Sequence, residues 1–236
     1  MAQIKLAVFD LEGTVFKKSY KLLSGIHHES AWGALCHHLC EEARKEDDVN
    51  RVRHSSKGKT GIKYPYSEWV LDTLKIYKKY GLTRDQFYEV INSVEYFEGA
   101  EKTFKSLHEN NIKIAAVSGG LKALADRVVI DHGLEHIFAA AELHWCDKGN
   151  LRNWNIMPTD FQQKRSIVEM LLADMHIEPE ECAFVGDGIN DCFVAEYVGV
   201  SVAFNSKYKE LTDVVDHIIS QENGKEDLSA ALNYIL

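Results

Sequence analysis

The chain has 236 residues, 45% of them hydrophobic and 27% charged, with Lys+Arg 27 against Asp+Glu 36 and a formal net charge of −9. That is the balance of a soluble globular chain able to bury a sizeable core, and it argues against an extended nucleic-acid or anionic-membrane surface. No stretch approaches the ~20 apolar residues of a membrane span, no signal-peptide pattern opens the chain, and Cys36, Cys40, Cys146, Cys182 and Cys192 show no paired framework, so free thiols in a reducing cytoplasm are expected.

The first element is residues 6–9, where Leu6, Ala7, Val8 and Phe9 make an apolar run of the length of a buried parallel strand. It stops at Asp10 and Glu12, followed by Gly13 and the Thr14 hydroxyl. In an open α/β sheet, chemistry gathers beyond the carboxyl ends of the strands. Two carboxylates and a hydroxyl there suit a nucleophile, a proton donor and a metal in one small space.

From 16 to 95 the pattern is helical. Residues 28–46 have apolar positions at helical spacing, and 47–63, polar and basic with Gly58 and Gly61, read as a loop. Residues 67–80 are amphipathic, with Ser67 as N-cap and Gly81 as stop, and 83–94 open with a Thr83/Gln86 capping pair. An inserted helical domain over 16–95 is expected, with the core formed by 1–15 and 96–236.

The core resumes at Glu98-Gly99-Ala100 with a helix over 100–110. A buried strand over 113–117 ends at Ser118-Gly119-Gly120, and a helix over 121–132 is closed by Gly133. A short strand at 137–140 leads to a hairpin over 142–158, turning at Lys148-Gly149-Asn150. Thr159 or Asp160 caps a helix over 161–175 that carries Lys164 near its start. Strands at 183–185, 200–203 and 217–220 follow, with a helix over 190–198 after an acidic loop. The alternation predicts an α/β fold with a doubly wound parallel sheet.

Asp10-Leu11-Glu12-Gly13-Thr14 resembles the first motif of the haloacid dehalogenase superfamily, usually Asp-x-Asp-x-Thr. Ser118 after IKIAAV, Lys164 at a helix start, and Gly186-Asp187-Gly188-Ile189-Asn190-Asp191 after ECAFV follow in the family's order. The last of these is most similar to the phosphoserine-phosphatase-like branch. The resemblance implies a Rossmann-like core, a C1-type helical cap, and a Mg2+-dependent phosphatase that acts on a small phosphorylated metabolite through a phospho-aspartyl intermediate.

On that resemblance Asp10 is the nucleophile and Glu12 the general acid/base. Thr14, Ser118, Gly119, Lys164 and Asn190 surround the phosphoryl group. Asp10, Glu12 through its backbone carbonyl, Asp187 and an outer-shell Asp191 hold the metal. Oxygen donors of this kind suit Mg2+ rather than zinc. Glu12 departs from the usual Asp by one methylene, so its carboxyl must fold back to reach the same proton. Members specific for phosphoserine carry a Glu shortly after the first motif and an Arg in the cap. The Glu position falls at or near Ser19, amid Lys17, Lys18 and Lys21, while Arg51 and Arg53 lie in the helical segment without a matching pattern. A basic patch does not attract an ammonium group, which weighs against phosphoserine itself.

Two other functions fit the same motifs. A phosphotransferase would hand the phosphoryl group to an acceptor hydroxyl instead of water, and a non-catalytic binding protein would keep only the fold. Complete motifs weigh against the second. Cys36 and Cys40, at i, i+4, outline a zinc site with His27, His28 or His54, although core thiols and surface imidazoles are the plainer reading. Tyr64, Tyr66 and Trp69 beside Lys57, Lys59 and Lys63 outline a base-stacking surface, although cap residues facing the site are plainer. Homo-oligomerisation stays open.

Overall fold

The structure, a computed structural model, describes residues 2–22, 25, 27–59 (54–59 by backbone alone) and 66–236. Leu6–Phe9 forms β1, fully buried along its length. Alternate side chains point to opposite faces: Ala7 and Phe9 join one hydrophobic cluster, Leu6 and Val8 the other. A strand buried on both faces has to be apolar throughout. Two short strands, β2 (Tyr20–Lys21) and β3 (His27–His28), form a small antiparallel pair. Four helices follow: α1 (Ala31–Leu39), α2 (Glu41–Lys59), α3 (Tyr66–Lys79) and α4 (Arg84–Ser93).

The chain then returns to the sheet through α5 (Ala100–Glu109), β4 (Lys113–Leu121), α6 (Lys122–His132), β5 (His136–Trp145) and β6 (Leu151–Ile156). It continues with α7 (Gln162–Met175), β7 (Cys182–Gly186), α8 (Cys192–Ala195), β8 (Val200–Phe204), α9 (Lys209–Thr212), β9 (His217–Ile219) and α10 (Leu232–Ile235). The strands make one seven-stranded sheet in the order β6-β5-β4-β1-β7-β8-β9. Only β5 and β6 pair antiparallel. The doubly wound α/β sheet is therefore as expected.

Strand β1 pairs with β4 on one side and β7 on the other, with Phe9 level with Ala116 and Val185. Successive strands run outward from β1 in one direction and then in the other. The residue that follows β1, Asp10, thus sits at the topological switch point, where such sheets open a crevice.

The helical segment is bound to the sheet rather than hung from it. One hydrophobic cluster runs from Phe9 and Phe104 of the core through Leu35, Leu74 and Tyr77. The segment also reaches the β5–β6 hairpin, where the Leu151 N–H donates to the Leu82 carbonyl at 3.1 Å and the Arg84 N–H to the Gly149 carbonyl at 2.7 Å. The expected Thr83 cap is present as a reciprocal capping box with Gln86. Thr83→Ala is expected to cost about 1 kcal/mol in thermal melts while leaving the sheet and its chemistry untouched.

Several expected boundaries differ. The loop expected over 47–63 is helical as far as Lys59 in α2, and residues 60–65, with Gly61, Lys63 and Tyr64, lie outside the described residues. The buried positions of α2 include Ala43, Asp47 and Asn50, at helical spacing but mostly polar. Asn50 Nδ2 donates to Thr73 Oγ1 at 3.1 Å, so a hydrogen bond takes the place of an apolar contact and hydrophobic periodicity misses the helix. The helix expected over 28–46 is split by extended backbone at Cys40, and α3 begins at Tyr66, so Ser67 is not its cap.

Strand β4 does not stop at Val117 but runs on through Ser118, Gly119 and Gly120 to Leu121, with a register shift against β5. Strand β5 is longer than 137–140, because it also forms one arm of the hairpin with β6. Neither Thr159 nor Asp160 caps α7. The capping position is Phe161, with φ 51, a strained conformation for a bulky residue of the kind that gathers at functional sites. The helix expected over 190–198 is a 3-10 turn at Ile189–Asp191 followed by α8.

Candidate active site

Three strand ends meet at the switch point. Asp10 follows β1, Ser118 lies in β4, and Asp187 follows β7. The Asp10 N–H donates to the Val185 carbonyl at 2.9 Å, which ties the first acidic loop to the neighbouring strand. Gly13 turns that loop with φ +94, and a Cβ there would meet the Asp187 carboxylate and Lys18 Cε at 2.5 Å. Only glycine allows both the left-handed turn and the close approach of the two acidic loops.

Helix α7 lays Lys164 beneath these ends. Its Nζ donates to Asp10 Oδ1 at 2.7 Å and to Asp191 Oδ1 at 2.6 Å, with Lys164 and Asp191 at 0% exposure. Burial alone would depress the Lys164 ammonium, but the Asp10 and Asp191 carboxylates outweigh it and hold its pKa raised. Burial raises Asp191 against the pull of Lys164. It pushes Asp187 up to about 7, opposed by Lys18 and reinforced by Asp10 and Asp191. Three carboxylates against two ammoniums, Lys164 and Lys18, leave the cluster short of positive charge.

Glu12 folds back toward the helical segment, as its extra methylene requires. Its Oε1 accepts from the Tyr20 hydroxyl at 2.6 Å and from the Ala31 N–H, at the start of α1, at 2.9 Å. Burial raises the Glu12 pKa against these two hydrogen bonds. A carboxyl displaced in this direction is a better proton donor near neutrality. Its Oε2 lies 2.9 Å from where a Cβ on Gly120 would stand, so the second glycine after Ser118 makes room for it.

The residues line a cavity of about 990 Å³ between the strand ends and the helical segment. Asp10, Glu12, Ser118, Gly119, Asp187 and Asn190 face it. Thr14 does not: it is wholly buried, and its hydroxyl has no hydrogen-bond partner among the described residues. Lys164 and Asp191 form the floor, behind the lining.

Sequence reasoning missed three contributors: Asp160 as a wall, Lys18 and Trp32. Asp160, expected as a helix cap, is a buried wall of the cavity that accepts from Asn190 Nδ2 at 2.6 Å. Burial pushes it up to about 6, against the pull of Lys164 and the Asn190 bond. Lys18 reaches Asp187 Oδ2 at 2.5 Å. Trp32 closes the roof beside Tyr66, which faces the cavity as the cap reading of that residue expected. None belongs to a motif, and each arrives from a different part of the chain. Only the Lys17-Lys18 run gave a signal.

Asp10, Asp187 and Asp191 each offer a carboxylate oxygen, all within 4.8 Å of one another. The buried Asp187 Oδ1 has no hydrogen-bond partner among the described residues. An all-oxygen, anionic donor set with an unsatisfied buried oxygen fits a hard divalent cation such as Mg2+. Among the described residues no other group of His, Cys, Asp or Glu meets that geometry. The zinc outline is not assembled: Cys36 is buried and free, Cys40 is half-buried and free, and the His54 side chain lies outside the described residues. Of the base-stacking outline, Tyr66 faces the cavity and Trp69 packs on the core, while Lys63, Tyr64 and the Lys57 and Lys59 side chains lie outside the described residues.

A mostly parallel sheet whose switch point carries Asp10, Lys164 and Asp191 beneath an inserted helical segment defines a Rossmann-like core. The chain belongs to the haloacid dehalogenase-like hydrolase family, whose sequence profile matches residues 4–199.

The chain is 30% identical over 223 residues to a phosphoserine phosphatase of Archaeoglobus fulgidus, covering 93% of this chain and 57% of that one. It is 26% identical over 209 residues to a phosphoserine phosphatase of Saccharomyces cerevisiae, covering 87% and 60%. The chain thus spans under two thirds of the length of these two relatives. A phosphoserine phosphatase of Methanocaldococcus jannaschii is 26% identical over 206 residues, with 84% and 88% covered. Among solved structures, a phospho-aspartyl intermediate analogue of phosphoserine phosphatase superposes with a TM-score of 0.75 at 23% identity over 100% of both chains. At that identity the likeness concerns the fold. No helix among the described residues is long and apolar enough to cross a membrane.

Proposed function

We propose that this chain is a Mg2+-dependent phosphomonoesterase that hydrolyses a small phosphorylated metabolite through a phospho-aspartyl intermediate at Asp10. The observation that carries the reading is the position of Asp10: at the switch point, lining the cavity, with Oδ1 held at 2.7 Å by a buried lysine. Lys164 fixes the carboxylate and offsets its charge, so that its other oxygen can approach an anionic phosphoryl group. The Ser118 hydroxyl and Gly119 N–H hold phosphoryl oxygens.

Glu12 gives its proton to the leaving alkoxide as the bond to phosphorus breaks. It then takes a proton from the water that attacks the aspartyl phosphate and restores the Asp10 carboxylate. Asp10, the Glu12 carbonyl and Asp187 would hold Mg2+, with Asp191 behind them, and the ion supplies neutralisation of the phosphoryl oxygens. Residues 16–95 act as the cap that excludes water and selects the leaving group. Five free cysteines accord with the cytoplasm as the site of action.

The relatives' names support a small phosphorylated substrate, and the cavity wall argues for a leaving group other than serine. Ser19 Oγ is bonded to His27 Nδ1 at 2.7 Å, so an imidazole and a hydroxyl, rather than a carboxylate, stand there. Arg51 lines the cavity but is paired with Asp48 at 2.7 Å and Asp47 at 3.3 Å.

The test is phosphate release from a panel of phosphorylated metabolites, phosphoserine included, with Mg2+ and with EDTA. Metal-dependent release is expected. Phosphate that appears as a new ester when alcohols are supplied, and not as free phosphate, would favour a transferase. Glu12→Gln is expected to slow turnover by about 10²- to 10⁴-fold. An unchanged rate would place the acid/base elsewhere.

A further inference from the structure

Two aromatic side chains of the helical segment converge on one backbone carbonyl of the phosphate-binding strand. Trp32 Nε1, in α1, donates to the Gly119 carbonyl at 3.3 Å, and the Tyr66 hydroxyl, at the start of α3, donates to the same oxygen. The other side of that peptide, the Gly120 N–H, donates to Ser118 Oγ at 3.1 Å. The preceding carbonyl, of Ser118, accepts from Thr159 Oγ1 at 2.6 Å. The Gly119–Gly120 peptide is therefore gripped at both ends. Ser118 Oγ is cast as an acceptor, and an accepting hydroxyl keeps its own proton for another partner.

The donors are themselves anchored. Trp32 is 4% exposed, its carbonyl accepts from the Tyr77 hydroxyl at 2.7 Å, and its ring lies edge-on to Trp69 at 5.5 Å. Tyr66 leans on the same Trp69 ring at 5.3 Å. The strand has little other freedom, because a Cβ on Gly119 would meet the Asp160 carboxyl at 2.9 Å.

We propose that Trp32 and Tyr66 are positioning residues that act as a latch: two donors from the helical segment fix the Gly119–Gly120 peptide, and through it aim the Ser118 hydroxyl proton at a phosphoryl oxygen. This rests on the phosphatase reading insofar as the ligand is a phosphoryl group. Docking of the helical segment and assembly of the phosphate site then become one event, since the segment supplies the bonds that shape the strand. Two donors on one oxygen also polarise the peptide, which makes its N–H a better donor to Ser118.

Tyr66→Phe and Trp32→Phe each remove one donor and keep an aromatic ring. Tyr80→Phe, which removes a helical-segment hydroxyl bonded to Glu46 at 2.8 Å and leaves both donors and the Trp69 ring in place, is the control. Binding of inorganic phosphate in the presence of Mg2+ is measured by calorimetry, beside a thermal melt of each protein. Each donor variant is expected to weaken phosphate binding by about fivefold, with the melting temperature within a few degrees of the wild type and the control unchanged in affinity. Unaltered phosphate affinity in both donor variants overturns the latch, as does a loss that Tyr80→Phe reproduces. Because binding is read without turnover, failure of the latch is distinguishable from failure to find a hydrolysed substrate. A wild-type protein that binds no phosphate at all overturns both.

Discussion

Asp10→Asn is expected to lose turnover by on the order of 10³-fold or more while melting no lower than the wild type in EDTA. The amide is nearly isosteric and its oxygen can still accept from Lys164, whose second partner, Asp191 at 2.6 Å, is untouched. What disappears is a negative charge beside Asp187 and Asp191, both of which Asp10 raises by repulsion. Relief of that repulsion offsets the weaker bond to Lys164. A catalytic loss at equal or greater stability separates a chemical role from a structural one, since a merely structural aspartate would cost both. Phosphate release at the wild-type rate would end the assignment of Asp10 as nucleophile. Inactivity with a melting temperature many degrees lower would leave inactivity without chemical meaning.

The sheet was legible because its strands are buried on both faces. Runs such as Leu6–Phe9 and Cys182–Gly186 have to be apolar whatever surrounds them. The order of the site-bearing strand ends along the chain was legible for a related reason: Asp10, Ser118 and Asp187 each sit in or directly after a buried strand, and the fold brings such ends together. Helix α2 was not legible, because Asp47 and Asn50 occupy its buried face and break the apolar period. The fuller strand β4 was hidden by Ser118-Gly119-Gly120, which reads as turn chemistry in isolation and is drawn into the sheet by pairing with β5.

The cavity walls were the least legible part. Asp160 looked like a cap because a short polar residue before a helix usually is one, yet its carboxylate turns to Asn190. Trp32 and Tyr66 lie 87 and 53 residues before Gly119, and although Tyr66 was readable as a cap residue facing the site, neither periodicity nor motif links an aromatic side chain to a distant carbonyl. Glu12 lay between these extremes. Its identity announced a longer reach than Asp, and its partners, Tyr20 and the Ala31 N–H, show where that reach goes.

Lys164→Met is expected to destabilise the metal-free protein by about 3–5 kcal/mol at pH 8, and the deficit should narrow as the pH falls toward 5. The lysine is wholly buried and is the ammonium partner of both Asp10 and Asp191. Methionine fills much of the same volume, so the loss is one of charge rather than packing. Deprived of the ammonium, Asp191 keeps its burial and the repulsion of Asp10 but loses the pull of Lys164 that opposes them, so its carboxyl is raised further. A carboxyl whose folded pKa is raised favours the fold while protonated. That contribution is present below the unfolded pKa and is lost as the pH rises through the folded one. The variant therefore loses more stability on going from pH 5 to pH 8 than the wild type, in which Lys164 opposes the rise of Asp191. At roughly 2–4 °C per kcal/mol for a chain of this size, the gap in melting temperature at pH 8 is large enough to resolve by circular dichroism. Added Mg2+ should close part of it, because a bound cation supplies positive charge to the same oxygens and stabilises only the folded state. A variant that melts with the wild type at pH 8 in EDTA would mean that Lys164 is not the charge that stabilises this carboxylate cluster in the fold.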